Sequence, residues 1–262
     1  MNSWFLVLVA GAVGTAGAVK ANTRVKEVRS GLNPPPYSVT PERRVSLLTP
    51  AYQEEKYIGN LLLSARNQTY PFHEIVVANS STDGTAELAR RFGALEVRAP
   101  YGNIAAARNL AAYHTTGEIL VFADADVLMH TQFVERAVAA LEDGAALVHP
   151  REVIYDSAKW NLLLFSPQIV RPWWNTTRCV AVWREVYEAV GGYDEMCNPI
   201  AEWSVRCRED LDFGARVAAA YGRTSVRVLP WLIGTSARRY KAQGVKGWEK
   251  FDIPARARIH WR

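Results

Sequence analysis

Apolar and polar positions between residues 43 and 150 follow two alternating periods. Short runs rich in Val, Ile and Leu at 45–49, 74–78, 95–98, 118–123 and 145–149 have the length and composition of buried strands. Between them apolar residues recur at helical spacing, as at Ile58, Leu61, Leu62 and Ala65, and predict helices over 55–67, 82–92, 103–114 and 131–142. Strand and helix taking turns in this way predict an α/β domain with a mostly parallel sheet covered by helices on both faces. Past Pro150 the rhythm loosens. A strand is expected over 179–183, a short helix over 184–189, a turn at Gly191-Gly192, a helix over 209–221 and a last strand over 226–229. The apolar run 160–170, followed by Arg171-Pro172-Trp173-Trp174, fits core packing and membrane contact equally well.

The chain has 262 residues, enough for one sizeable core with a modest tail at each end. Residues 1–19 carry no charged side chain, and Lys20, Arg24, Lys26 and Arg29 follow immediately. That pattern predicts a short membrane anchor, single-pass or peripheral, with the remainder on the cytoplasmic side; a buried first helix is the competing account. Residues 20–42, with Asn33-Pro34-Pro35-Pro36, read as a stiff linker. The folded domain is expected over 43–235 and a tail over 236–262.

Net charge is +5, and the tail holds it: eight Lys/Arg face Glu249 and Asp252 there, leaving residues 1–235 at −1. A nucleic-acid protein carries its positive charge on the folded surface, so nucleic acid is not expected as a partner. A basic tail interleaved with Trp248 and Trp261 suits an anionic membrane surface, or simply solvent. Cys179, Cys197 and Cys207 are odd in number and lack metal-site spacing, which predicts reduced thiols in a cytosolic compartment.

The sharpest local signal is Glu118-Ile119-Leu120-Val121-Phe122-Ala123-Asp124-Ala125-Asp126. A buried strand here ends on two carboxylates one residue apart, which strand geometry sends to the same side. Two anionic oxygens at the carboxyl end of an open α/β sheet suit a hard divalent cation, although solvated loop aspartates give the same pattern.

Further segments follow in order: Thr49-Pro50-Ala51-Tyr52-Gln53-Glu54-Glu55 after the first strand and Asn79-Ser80-Ser81-Thr82-Asp83-Gly84-Thr85 after the second. Then come Ala107-Arg108-Asn109, the acidic pair, Val190-Gly191-Gly192-Tyr193-Asp194-Glu195 and Glu209-Asp210. Together they resemble the inverting family 2 glycosyltransferases of the GT-A fold over roughly three quarters of the chain. The resemblance implies a Rossmann-like nucleotide/donor half over 43–129 and an acceptor half over 130–235. It also implies a nucleotide-sugar donor linked to UDP or GDP.

The resemblance assigns roles by position. Pro50, Ala51, Tyr52 and Glu54 lie at the donor edge, with Tyr52 stacking on a base or capping the fold. Asn79 stands where the family usually has the second of two acidic residues, which weakens a choice between uracil and guanine. Arg108 is placed near the donor phosphates, with a helix-face ion pair as the alternative. Asp126 is the direct ligand of Mg²⁺ or Mn²⁺, and Asp124 approaches ribose and metal. Asp210 is the general base, although two acids at a helix start also suit its dipole. Arg238 and Arg239 form a lid over the diphosphate or a surface pair. His260 is a weak further candidate for the metal. The expected activity is metal-dependent, inverting transfer of a sugar to a hydroxyl or phosphate, lipid-linked or on a glycan, at the cytoplasmic membrane face. A nucleotidyltransferase is disfavoured because 49–55 has no Gly, Lys or Arg; a non-catalytic membrane scaffold is disfavoured by the full set of carboxylates.

Overall fold

The structure, a computed structural model, describes residues 42–160, 178–197, 209–238 and 241. Its strands are β1 (Val45–Ala51), β2 (Glu74–Asn79), β3 (Leu95–Arg98), β4 (Ile119–Ala123), β5 (Leu128–Met129), β6 (Leu147–Ile154), β7 (Cys179–Trp183) and β8 (Val226–Thr235). The helices are α1 (Ile58–Arg66), α2 (Thr85–Arg91), α3 (Ile104–Tyr113), α4 (Phe133–Glu142), α5 (Arg184–Ala189) and α6 (Glu209–Tyr221). One sheet joins the strands in the order β3-β2-β1-β4-β7-β6-β8-β5. Only β7 and β5 run against the common direction, so the expected mostly parallel α/β sheet is present.

Alternation along β1 and β4 splits the core into two layers. Leu47 and Val121 pack with Leu61 of α1 and with Phe133 and Val138 of α4 on one face. Leu48 and Phe122 pack with Ala111 of α3, Tyr187 of α5 and Phe213 of α6 on the other. Both faces of β1 and β4 are therefore dry, as their unbroken apolar runs require.

The sheet curls. Strands β4 and β5 stand four places apart in the order, about 19 Å if the sheet were flat. Yet the chain has only the steps from Ala123 to Leu128 to cover the distance, about 17 Å at full stretch. The sheet bends until β5 reaches β8, where Leu128 faces Gly234 and Met129 faces Ile233. The acidic pair lies on this short crossing.

Strands β6 and β8 run further than their sequences predict. Each continues past a proline, and their pairing is irregular there: Pro150 faces Leu229, Arg151 faces Trp231, and Pro230 is skipped. Proline cannot donate to a ladder and is tolerated at such a bulge. The extension carries Tyr155 and Asp156 to the end of the sheet that bears the acidic pair. Helix α1 begins later than expected because Gln53 takes a φ of 55° and the Tyr57 N–H donates to the Glu54 carbonyl at 2.9 Å, a turn before the helix.

Cys179 is free and buried, whereas Cys197 is disulfide-bonded, which corrects the expectation of three reduced thiols. Among the described residues no helix is long and apolar enough to cross a membrane. The expected anchor at 1–19 and most of the linker, the 160–174 segment beyond Trp160, and most of the basic tail lie outside the described residues.

Candidate active site

Strand β4 delivers its two carboxylates differently. The Asp124 N–H donates to the Arg178 carbonyl at 2.8 Å, extending the β4–β7 ladder by one bond, and the Val127 N–H returns to the Asp124 carbonyl at 3.1 Å. This tight turn leaves Asp124 partly open and Asp126 buried. Asp126 Oδ2 is buried without a hydrogen-bond donor. The Nε of Arg238 lies 3.1 Å away, a charge contact without hydrogen-bond alignment. An unsatisfied anionic oxygen, with a second carboxylate two residues earlier on the same strand end, is a donor set that fits a hard divalent cation.

Arg108 binds the two halves of the site together. From α3 its Nη2 donates to Asp124 Oδ1 at 3.0 Å and its Nη1 to Glu209 Oε1 at 2.8 Å, with the guanidinium buried. Its carbon lies 5.0 Å from the centroid of Tyr193, itself stacked on Phe213. Burial opposes the charge, but Tyr193, Glu209, Asp124 and Asp210 around it hold the guanidinium protonated. Asp210, next along α6, is buried and within electrostatic reach of Arg108. The base candidate Asp210 and Asp124, the first of the acidic pair, are thus brought around one guanidinium. Arg108 bridges carboxylates on two separate elements.

Neighbouring groups fix α6 and the Gly191-Gly192 turn. Asn109 Oδ1 accepts from the Tyr193 N–H at 2.9 Å and Tyr187 Oη at 2.7 Å, while its Nδ2 donates to the Tyr193 carbonyl and to Glu195 Oε1. Arg216 donates to the Val190 and Gly192 carbonyls.

Pro50 and Ala51 end β1 in register with Ala78 and Asn79. Tyr52 is half exposed and meets Tyr101 edge-on at 4.9 Å. Asn79 is buried and already committed: Oδ1 accepts from the Ser81 N–H at 2.9 Å and Nδ2 donates to Glu96 Oε1 at 3.1 Å. Glu54 is buried, its N–H donating to Thr85 Oγ1, and its carboxylate receives both terminal nitrogens of Arg238. Arg238 therefore sits against Glu54 and Asp126, over the ring of Tyr57 at 4.4 Å. Arg239 and His260 lie outside the described residues.

Sequence reasoning passed over Glu209 as the partner of Arg108, Tyr193 as its ring platform, and Tyr155, whose Oη donates to the Asp126 carbonyl at 3.3 Å. For the first two the signal was present in the Gly-Gly-Tyr-Asp-Glu and Glu-Asp segments. For Tyr155 there was none.

A curled α/β sheet with carboxylates at one strand end and a base candidate on a later helix defines a GT-A sugar-transferase architecture. The profile of "Glycosyl transferase family 2" matches residues 46–197, more than half of the chain. The chain belongs to this family. Among curated relatives, glycosyltransferase AglE of Haloferax volcanii is 35% identical over 111 residues, covering 37% of this chain and 35% of the relative. The 4,4'-diaponeurosporenoate glycosyltransferase of Staphylococcus haemolyticus is 32% identical over 136 residues, covering 45% and 36%. The chain thus spans about a third of the length of these relatives. Glucosyl-3-phosphoglycerate synthase of Mycobacterium tuberculosis, solved with Mn²⁺ and UDP, superposes with a TM-score of 0.60 at 19% identity, covering 89% of this chain and 83% of that one. A mannosyltransferase of Pyrobaculum calidifontis with GDP-mannose and Mn²⁺ gives 0.59 at 25% identity, covering 92% and 70%.

Proposed function

We propose that the protein transfers a sugar from a nucleotide-sugar donor to an acceptor hydroxyl or phosphate, with inversion, in a reaction that requires Mg²⁺ or Mn²⁺. The observation that carries this reading is the Asp124–Arg108–Glu209 bridge, which joins the acidic pair to the helix bearing Asp210. The occurrence of Mn²⁺ with UDP or GDP-mannose in structures of similar fold supports it.

Asp126, with Asp124 beside it, would hold the cation. When bound, the cation neutralises charge on the departing diphosphate without moving a proton. Tyr52, at the exposed edge beyond Pro50 and Ala51, offers a face for the base. Arg238 offers a guanidinium fork for phosphate oxygens. Asp210 accepts the acceptor's proton as its oxygen attacks the anomeric carbon from the face opposite the diphosphate, which inverts the centre. Burial of Arg108 and its carboxylates keeps this pair of elements from drifting apart.

A lipid-linked acceptor at a membrane surface is the acceptor class we favour, on the uncharged first 19 residues and the Trp-bearing basic tail. The test of the whole reading is turnover of UDP- and GDP-sugars with Mn²⁺ on lipid-linked and soluble glycan acceptors. Wild type should turn over one donor; Asp210→Asn should lose about 10²- to 10⁴-fold in kcat with donor binding retained. Asp126→Asn should lose metal dependence and turnover together. Full activity in both variants would end the proposal.

A further inference from the structure

Arg238 occupies a position that a divalent cation and a diphosphate would both contest. Its two terminal nitrogens grip the carboxylate of Glu54, and its Nε lies 3.1 Å from Asp126 Oδ2. The contact with Asp126 has no hydrogen-bond alignment, so the guanidinium can leave it without breaking a directed bond.

The backbone that carries Arg238 is fastened separately. Asp156 Oδ1 accepts the Ala237 N–H at 2.7 Å, and its Oδ2 accepts from Ser236 Oγ at 2.9 Å and Lys241 Nζ at 3.0 Å. Ser236 and Ala237 are buried. The Arg238 main chain is therefore held, so that reorientation falls to the long, one-quarter-exposed side chain, which gives up its two bonds to Glu54 when it turns.

We infer that Arg238 is a positioning residue with two stations: in the donor-free protein it is the counter-ion of Asp126 and Glu54, and with donor bound it turns to the diphosphate. This rests on the metal-dependent reading above. Two binding constants then depend on Arg238 with opposite sign. A bare divalent cation arriving at Asp126 meets a like charge a few ångströms away and must displace it, so Arg238 weakens that step. A cation arriving with a nucleoside diphosphate brings oxygens that the guanidinium fork can hold bidentately, so Arg238 strengthens that step. The cation consequently enters with the nucleotide and not before it.

Mn²⁺ binding, read from the loss of the free-ion electron paramagnetic resonance signal, tests this without turnover. It is measured for wild type, Arg238→Gln and Arg238→Lys, each with Mn²⁺ alone and with Mn²⁺ plus UDP or GDP. Arg238→Gln should bind bare Mn²⁺ about tenfold or more tightly than wild type, the expected scale for removing a like charge at this range in a partly solvated site. The same variant should bind Mn²⁺ with diphosphate about tenfold more weakly, through loss of the bidentate contact. Arg238→Lys keeps the charge without the fork, so its bare-ion affinity should stay near wild type while its diphosphate affinity falls. Affinities in Arg238→Gln that move in the same direction, or neither moving, overturn the inference alone. Absence of Mn²⁺ binding by wild type with either nucleotide overturns the metal-dependent reading and the inference with it.

Discussion

Arg108 Nη1 donates to Glu209 Oε1 at 2.8 Å across a buried interface, 101 residues apart in the chain. Its other terminal nitrogen serves Asp124, so one cation neutralises two carboxylates on separate elements. Removing it takes a buried counter-charge from each. Arg108→Met should lower unfolding free energy by about 3–5 kcal/mol. Adding Glu209→Gln should recover part of that loss, because one of the two carboxylates that faced the lost cation is then neutral. Urea unfolding of the single and double variants checks both statements.

Asn79 explains itself through Glu96. An aspartate at this place, as the family usually has, would set a carboxylate against Glu96 Oε1, now 3.1 Å from the Asn79 amide nitrogen. Asn79→Asp should therefore destabilise the fold by about 1–3 kcal/mol, the scale of a buried hydrogen bond turned repulsive. Asn79→Asp with Glu96→Gln should regain most of the stability, since a neutral amide can donate to the new carboxylate. Thermal melts of the pair, with and without UDP and GDP, also show whether the second change alters base preference.

His149 is buried on β6, its Nε2 has no hydrogen-bond partner, and burial, helped by Arg151, pushes its pKa down to about 4. The folded protein holds this imidazole neutral while the unfolded chain protonates it near 6.5. The unfolded state thus binds the additional proton as pH falls, and stability drops between about pH 6.5 and 4. The contribution lost across that window is about 3 kcal/mol. Denaturation of wild type and His149→Gln from pH 7.5 to 4 should show wild type losing that much relative to the variant. Parallel curves would refute the assignment.

Gly192 has a φ of 66°, and a methyl group there would stand 2.8 Å from Tyr187 Oη and 3.1 Å from Asn109 Oδ1. The substitution Gly192→Ala strains the backbone and pushes apart the Asn109–Tyr187 pair that holds the Tyr193 loop. A loss of about 1–3 kcal/mol is expected from the backbone alone. Donor binding, read by thermal shift, should weaken less than turnover, because Tyr193 underlies Arg108 and stacks on Phe213 of α6.

Local signals made most of residues 43–129 readable. Strands β1, β2, β3 and β4 are short apolar runs with helical periods between them, and Asp124 and Asp126 stand at the predicted strand end. Strand β5 was not legible, because two residues have no periodicity. The ends of β6 and β8 were hidden by Pro150 and Pro230, which normally stop a strand and here sit at a bulge. Pairings set by tertiary contact were equally invisible. Glu54 and Arg238 are 184 residues apart, and nothing in either segment names the other. Arg108 shows the same limit from the opposite side: its position was legible, but its pairing with Glu209 depends on where α6 begins.

The crossing from Ala123 to Leu128 works as a covalent ruler. It closes the open side of the curl through a tight turn, with one end in β4 and the other paired to β8. Loss of a residue there would pull β5 from its neighbour or flatten Asp126 out of its burial, and gain of one would slacken the turn that aims it. Diversification by insertion or deletion is therefore closed to this stretch, and chimaeras cut just after it would inherit an edge strand measured for another protein's sheet.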